Sequence, residues 1–280
     1  MKGSGELVTL AIGTAKTNRS VTEQLVSCLK TGGLEIEVSN LGQWIFLGCK
    51  QTGTEFESNL LRAFVADAVS DLLVGVQQRQ LIEGILRRHY KWFTATEREQ
   101  LISRSSEILN CDSQTGEEDQ RRRRQRRNLV YMRLMECLAG RPQIVLEGLV
   151  RFRLKEYYRE LKLAVDLAVE EFMADQEYRD FILLLRSFVD IQTPLFERVH
   201  VIYKNDSYLL LDGNGAELPA EYLEESLPGM EPEDLLLSNL ITLAPKSLVL
   251  HLPPEKEIVE TVKQVFQEQV TVCSGCDLCT

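Results

Sequence analysis

The stretch LEGLVRFRLKEYYRELKLAVDLAVEEF (residues 146–172) decides the fold class of this chain. Leu146, Val150, Leu154, Tyr157, Leu161, Val165, Ala168 and Phe172 recur at steps of three or four. That is the period of an α-helix with one broad apolar face turned to a core. Arg151, Arg153, Lys155, Arg159 and Lys162, with Glu156 and Glu160 among them, read as the wet side of the same helix.

The helical period extends in both directions. Upstream, Phe56, Leu60, Phe64, Ala68, Leu72 and Val76 step along one stripe, and Leu81, Ile85, Leu86, His89, Tyr90 and Phe93 continue the pattern. Thr94 and Glu97 have capping-box spacing ahead of the helix TEREQLISRSSEILN (96–110). After a polar break, a helix that starts in a charge run carries Leu129, Met132, Leu134 and Leu138 as far as Gly140 and Pro142. Downstream, EYRDFILLLRSFVDIQ (177–192) reads as a separate helix stopped by Pro194.

Both ends return to a period of two. LVTLAI (7–12) is rich in strand formers, and Ser20 with Glu23 resembles a cap for VTEQLVSCLK (21–30), whose Val21, Leu25, Cys28 and Leu29 share a face. Gly32-Gly33 would end that helix. LEIEV (34–38) and WIFLG (44–48), with a turn at Asn40 and Gly42, predict an antiparallel pair. At the other end RVHVIYK and SYLLLD flank an Asn205-Asp206 turn, followed by a helix at 233–243, the strand SLVLHL (247–252), the helix EKEIVETVKQVF (255–266) and the strand QVTVC (269–273). The expectation is an α+β protein in three parts: a β-α-β-β unit at 1–52, a helical domain at 53–196, and a β-β-α-β-α-β unit at 197–280.

Composition narrows the class. With 44% hydrophobic and 26% charged residues, the 280-residue chain has the makeup of a globular protein. A formal charge of −10 opposes non-specific adhesion to nucleic acid or anionic membrane. No apolar run approaches the ~20 residues of a membrane span, and MKGSGELVTLAIG lacks the pattern of a secretory signal. These features predict a cytoplasmic protein. Seven cysteines, three of them in the last eight residues, then read as reduced thiols.

Five stretches resemble the YtxC-like family of sporulation proteins of spore-forming Firmicutes. They are FRLKEYYRELKLAVDLAVEEF (152–172), LLLRSFVDIQTP (183–194), VHVIYK (199–204), LITLAPKSLVLH (240–251) and VCSGCDLC (272–279). The resemblance implies an association with sporulation and no particular chemistry or site residue.

The sharpest local signal is Cys273-Ser-Gly-Cys276-Asp-Leu-Cys279. Thiolates at this spacing converge on one ion when the chain turns, and Gly275 permits the turn. Zinc or an iron–sulfur cluster requires a fourth ligand, for which His251, Cys49 and Cys28 are the candidates. Cys-x-x-Cys is also a redox spacing, but no helix has room to follow it here, so metal is the better functional reading. A cysteine-rich tail without function is the plain alternative.

Arg121–Arg127 places six arginines in seven residues. Arg121, Arg122, Arg123, Arg124, Arg126 and Arg127 have the charge to contact phosphates of nucleic acid. Acids at 117–119 stand four residues before 121–123, and no aromatic residue interleaves the run, which favours a solvated helix start. The sequence holds no G-x-S-x-G, Walker loop, H-E-x-x-H or G-x-G-x-x-G pattern. His89, His200 and His251 read as core or strand residues. The expectation is therefore a non-enzymatic protein acting through protein partners, with metal or thiol chemistry at the cysteine triplet as the alternative and nucleic-acid binding as the third.

Overall fold

A computed structural model describes residues 6–31, 34–53, 55–110, 116–204, 206–224 and 228–279. It divides into two compact units, Met1–Phe172 and Met173–Thr280. Each has its own four-stranded sheet and its own apolar core. The strands of the two ends therefore do not share a sheet.

The first unit opens with β1 (Glu6–Ala15), α1 (Arg19–Thr31), β2 (Glu35–Leu41) and β3 (Trp44–Gly53), the expected β-α-β-β order. β2 and β3 form a hairpin in which Leu41 pairs with Trp44, and Gly42 takes the positive φ of 58° that this two-residue turn requires. Helices α2 (Glu55–Val74), α3 (Val76–His89), α4 (Ala95–Asn110) and α5 (Gly116–Gly140) follow. Next comes a strand the sequence reading lacked, β4 (Gln143–Val145), which pairs parallel to β1 and completes the order β2-β3-β1-β4. Pro142 and a length of three residues conceal it from any period-two test.

The stretch 146–172 has the face assigned to it: every residue of the stripe from Leu146 to Phe172 is buried. It is not one helix, however. α6 (Leu146–Phe152) stops, and α7 (Lys155–Ile191) begins after Arg153-Leu154 and runs without a break through the expected boundary near 176. Glu147 fastens α6 to the end of β1. Its Oε1 accepts hydrogen bonds from the Ala15 amide and the Asn18 side chain, each at 2.9 Å.

Smaller expectations shift by a residue. In α2 the buried face is Leu61, Val65, Val69, Leu72 and Leu73, whereas Leu60 is exposed. Helix α1 begins at Arg19 rather than after a Ser20 cap, and Glu23 pairs with Arg19. Cys28 and His89 lie at the surface. The Thr94–Glu97 box is present in full, with both side chains bonded to the opposing backbone amides. Gly32-Gly33 and Asn205 lie outside the described residues.

The second unit contains the end of α7, then β5 (Arg198–Lys204), β6 (Ser207–Asp212), α8 (Pro232–Leu243), β7 (Ser247–His251), α9 (Glu257–Phe266) and β8 (Val270–Val272). The sheet order is β6-β5-β7-β8. The first pair is antiparallel and the others are parallel. Alternate residues Val199, Val201, Leu248 and Leu250 are essentially inaccessible and form the core with Val259, Val262 and Leu240.

Candidate metal centre

Parallel pairing brings the carboxyl ends of β5, β7 and β8 to one side of the second sheet. His251 is the last residue of β7. On one flank it pairs in register with Ile202 of β5, and the His200 ring stacks beside it at a centroid distance of 5.2 Å. On the other flank the β8 ladder runs on, with the Cys273 amide donating to the Leu250 carbonyl at 2.9 Å. The chain therefore leaves the sheet next to His251. Gly275, at a φ of 127°, reverses it, and a 3-10 turn over Asp277–Cys279 brings the last thiol back. The Cys279 amide closes this turn on the Cys276 carbonyl at 2.9 Å.

Four donor atoms converge as a result. The sulfurs of Cys273, Cys276 and Cys279 and one nitrogen of His251 all lie within 4.8 Å of one another. Cys279 Sγ is 3.7 Å from Cys273 Sγ and 3.8 Å from Cys276 Sγ. His251 Nδ1 is 3.2 Å from Cys279 Sγ and 3.4 Å from Cys276 Sγ. A tetrahedral zinc ion, with Zn–S ~2.3 Å and Zn–N ~2.0 Å, separates its sulfurs by about 3.8 Å and sulfur from nitrogen by about 3.5 Å. The donor set thus has both the chemistry and the spacing for one zinc ion. A [4Fe–4S] cluster would set each thiolate on a separate iron and a [2Fe–2S] cluster would split the ligands into two pairs on two irons, so a cage with all four donors within 4.8 Å of one another suits a single ion better.

The surroundings favour the ligating forms of Cys276 and His251, whereas at Cys279 the lowering effect of the Cys276 backbone is outweighed by burial and the neighbouring Cys273 and Cys276 thiols, which hold that thiol above its ordinary pKa. Gly275 N–H donates to Cys273 Sγ at 3.4 Å. The Leu278 amide holds the Cys276 thiol below its ordinary pKa. Burial, followed by the neighbouring His200, lowers the pKa of His251. Burial and the Arg198 charge lower that of His200, against an opposing pull from Asp212. Both rings are thus kept neutral. His251 Nε2 is 2.9 Å from His200 Nδ1, so a proton on Nε2 of His251 is shared with His200 and leaves Nδ1 free to ligate.

Of the three candidates for a fourth ligand, His251 occupies the place. Cys49 is fully buried in the first unit's core, where burial raises its thiol to about 11, and Cys28 sits on the exposed side of α1. His200 was missed as a partner of the site. Its signal was indirect: VHVIYK and SLVLH each carry one histidine among apolar residues, and only parallel pairing in this register places the rings together.

The arginine run divides in two. Arg121–Arg124 are exposed, with Arg124 reaching Gln120 at 3.5 Å. Arg126 is 4% exposed; it donates to the Leu109 carbonyl at 2.7 Å and to the Asn110 side chain at 2.9 Å, and pairs with Glu160 at 3.2 Å. Arg127 binds Asp67 and Asp71 across to α2, and its bond to Asp71 pushes its pKa above the ordinary arginine value. Both side chains join helices inside the first unit. Among the described residues, no helix is long and apolar enough to cross a membrane.

The YtxC-like family matches residues 63–271, a span that contains His200 and His251 and ends just before Cys273. "Uncharacterized protein YtxC" of Bacillus subtilis (strain 168) is 32% identical over 125 residues, covering 42% of this chain and 44% of that protein. The alignment thus spans less than half the length of this curated relative. No solved structure matches significantly. With three quarters of its length inside the family's match, the chain belongs to the YtxC-like family.

Proposed function

We propose that this protein binds one zinc ion through Cys273, Cys276, Cys279 and His251, and that the ion has a structural role. The observation that carries the reading is the set of four donor atoms within 4.8 Å of one another, with the S–S and S–N separations at Cys276 and Cys279 near those of a tetrahedral zinc site. A centre closed by four protein ligands has no open position for substrate, which separates structural from catalytic zinc. Its effect is mechanical: it ties the 3-10 turn at 277–279 to the end of β7 and fixes the shape of the sheet's carboxyl edge. The molecular role we assign to the protein is non-enzymatic, a metal-stapled protein that works through contacts with other proteins. The sporulating cell is the setting that the family resemblance suggests for it.

Cobalt(II) replacement tests the donor set. Apo-protein titrated with cobalt should develop intense visible d–d bands and a near-ultraviolet sulfur-to-cobalt transition, saturating at one equivalent. His251→Ala and Cys279→Ser should weaken and shift these bands. Weak octahedral bands, or spectra unchanged by both substitutions, would rule the centre out.

A further inference from the structure

The first unit carries an open groove of about 700 Å³ far in character from the rest of this acidic chain. Its floor is β4, the edge strand of the order β2-β3-β1-β4. The Ala11 amide donates to the Pro142 carbonyl at 2.8 Å, and Ala11 is in register with Gln143. In a parallel ladder this turns the backbone groups of Ile144 toward β1. Those of Gln143, with the amide of Val145, then face the open side. Among the described residues these outward amides have no backbone partner.

The walls are cationic. Arg133, Arg141 and Arg153 line the groove, and among the described lining residues Glu136 is the acid. Arg133 is occupied by Glu136 at 3.0 Å and Glu156 at 3.4 Å. Arg141 and Arg153 are exposed and have no acidic partner among the described residues. Phe152, 62% exposed, stands at the rim with the Arg151 guanidinium 5.4 Å from its ring centroid, a further positive charge at this edge. An unpaired strand edge and two free guanidinium groups are the elements of strand addition: main-chain bonds hold the guest, and side-chain sites select it. The same charges keep a second copy of this edge from pairing with it.

We propose that this groove receives an extended acidic segment of a partner protein. The segment adds as a strand to β4 and sets its carboxylates against Arg141 and Arg153. The inference is independent of the zinc centre, which lies in the other unit.

A fluorescein-labelled peptide alternating glutamate and valine over seven residues serves as the probe, titrated against the full-length protein by anisotropy. Saturable binding is expected, weakened about tenfold or more in the Arg141→Glu/Arg153→Glu variant and partly restored in Arg141→Lys/Arg153→Lys. Exchange of the Gln143 and Val145 amides should slow on binding, which a purely ionic contact would not cause. Because both arginines are exposed, the variant should keep its circular dichroism and melting temperature. No binding at millimolar peptide overturns the proposal, as does equal binding of a peptide with proline in place of valine. Binding unchanged by charge reversal, or tighter binding of a single-stranded oligonucleotide than of the peptide, overturns it as well.

Discussion

His200 is positioned to ligate nothing, yet it decides which nitrogen of His251 is available. With His251 Nδ1 facing the sulfurs, its Nε2 is 2.9 Å from His200 Nδ1, which in the ligating tautomer would accept the Nε2 proton and orient the ring. Loss of such an outer partner typically costs 10–100-fold in metal affinity. His200→Phe should therefore weaken zinc binding by about that factor in competition with a chromophoric chelator, while His200→Gln, which keeps an acceptor, recovers part of it. An unaltered affinity in the phenylalanine variant would remove His200 from the site. The cysteines offer a second contrast at this scale. Burial raises Cys49 to about 11, so at pH 8 roughly one thiol in a thousand there is thiolate, and alkylation should be slow whatever the metal content. Cys273, Cys276 and Cys279 should be protected in zinc-loaded protein and alkylated after chelation, as read by mass spectrometry of the C-terminal peptide. Equal labelling in the two states would contradict ligation.

At the scale of elements, α5 shows what a charge run conceals. Arg126, Val130, Leu134 and Leu138 follow one another at four-residue steps and all are buried. The sequence reading places Leu129, Met132, Leu134 and Leu138 on this face; Met132 is exposed and Leu129 only half-buried, and the buried stripe instead passes through Val130 to Arg126. Arg126→Ala leaves the Leu109 carbonyl and Glu160 without their cationic partner, and should destabilise the first unit by about 3 kcal/mol in urea unfolding. Replacing Arg121–Arg124 together by glutamine should change stability by less than about 0.5 kcal/mol, because all four are exposed. A comparable loss from the two substitutions would mean that the run acts as a unit. The α2–α3 junction is a further sensitive point, since a Cβ on Gly75 would lie 2.7 Å from the Asp71 carbonyl oxygen. Element boundaries were legible where capping chemistry marked them, as at Thr94–Glu97. They were not legible at 172–177, where Met173, Ala174 and Gln176 are good helix formers that let α7 continue. Three-residue β4 carries too few alternations to announce itself.

Across the whole molecule, sequence order and spatial order agree at the ends and diverge in what they bring together. The β-α-β-β and β-β-α-β-α-β orders followed from alternation and turn residues alone. The candidate metal centre needed tertiary information. The triplet's spacing names three ligands, but His251 stands 22 residues upstream of Cys273 and joins them only because β8 lies parallel to β7. This dependence predicts a regional response. Chelation should accelerate amide exchange in β7 and β8 and leave β1 and β3 unchanged, because an ion held by the proposed ligands would tie only the second unit's sheet edge. The most direct test of the central claim is the metal content of protein purified anaerobically without chelators. One zinc per chain is expected, falling to trace levels in Cys276→Ser/Cys279→Ser protein that remains folded. Substoichiometric metal in the wild type even after zinc reconstitution, or full zinc in the double variant, would contradict it.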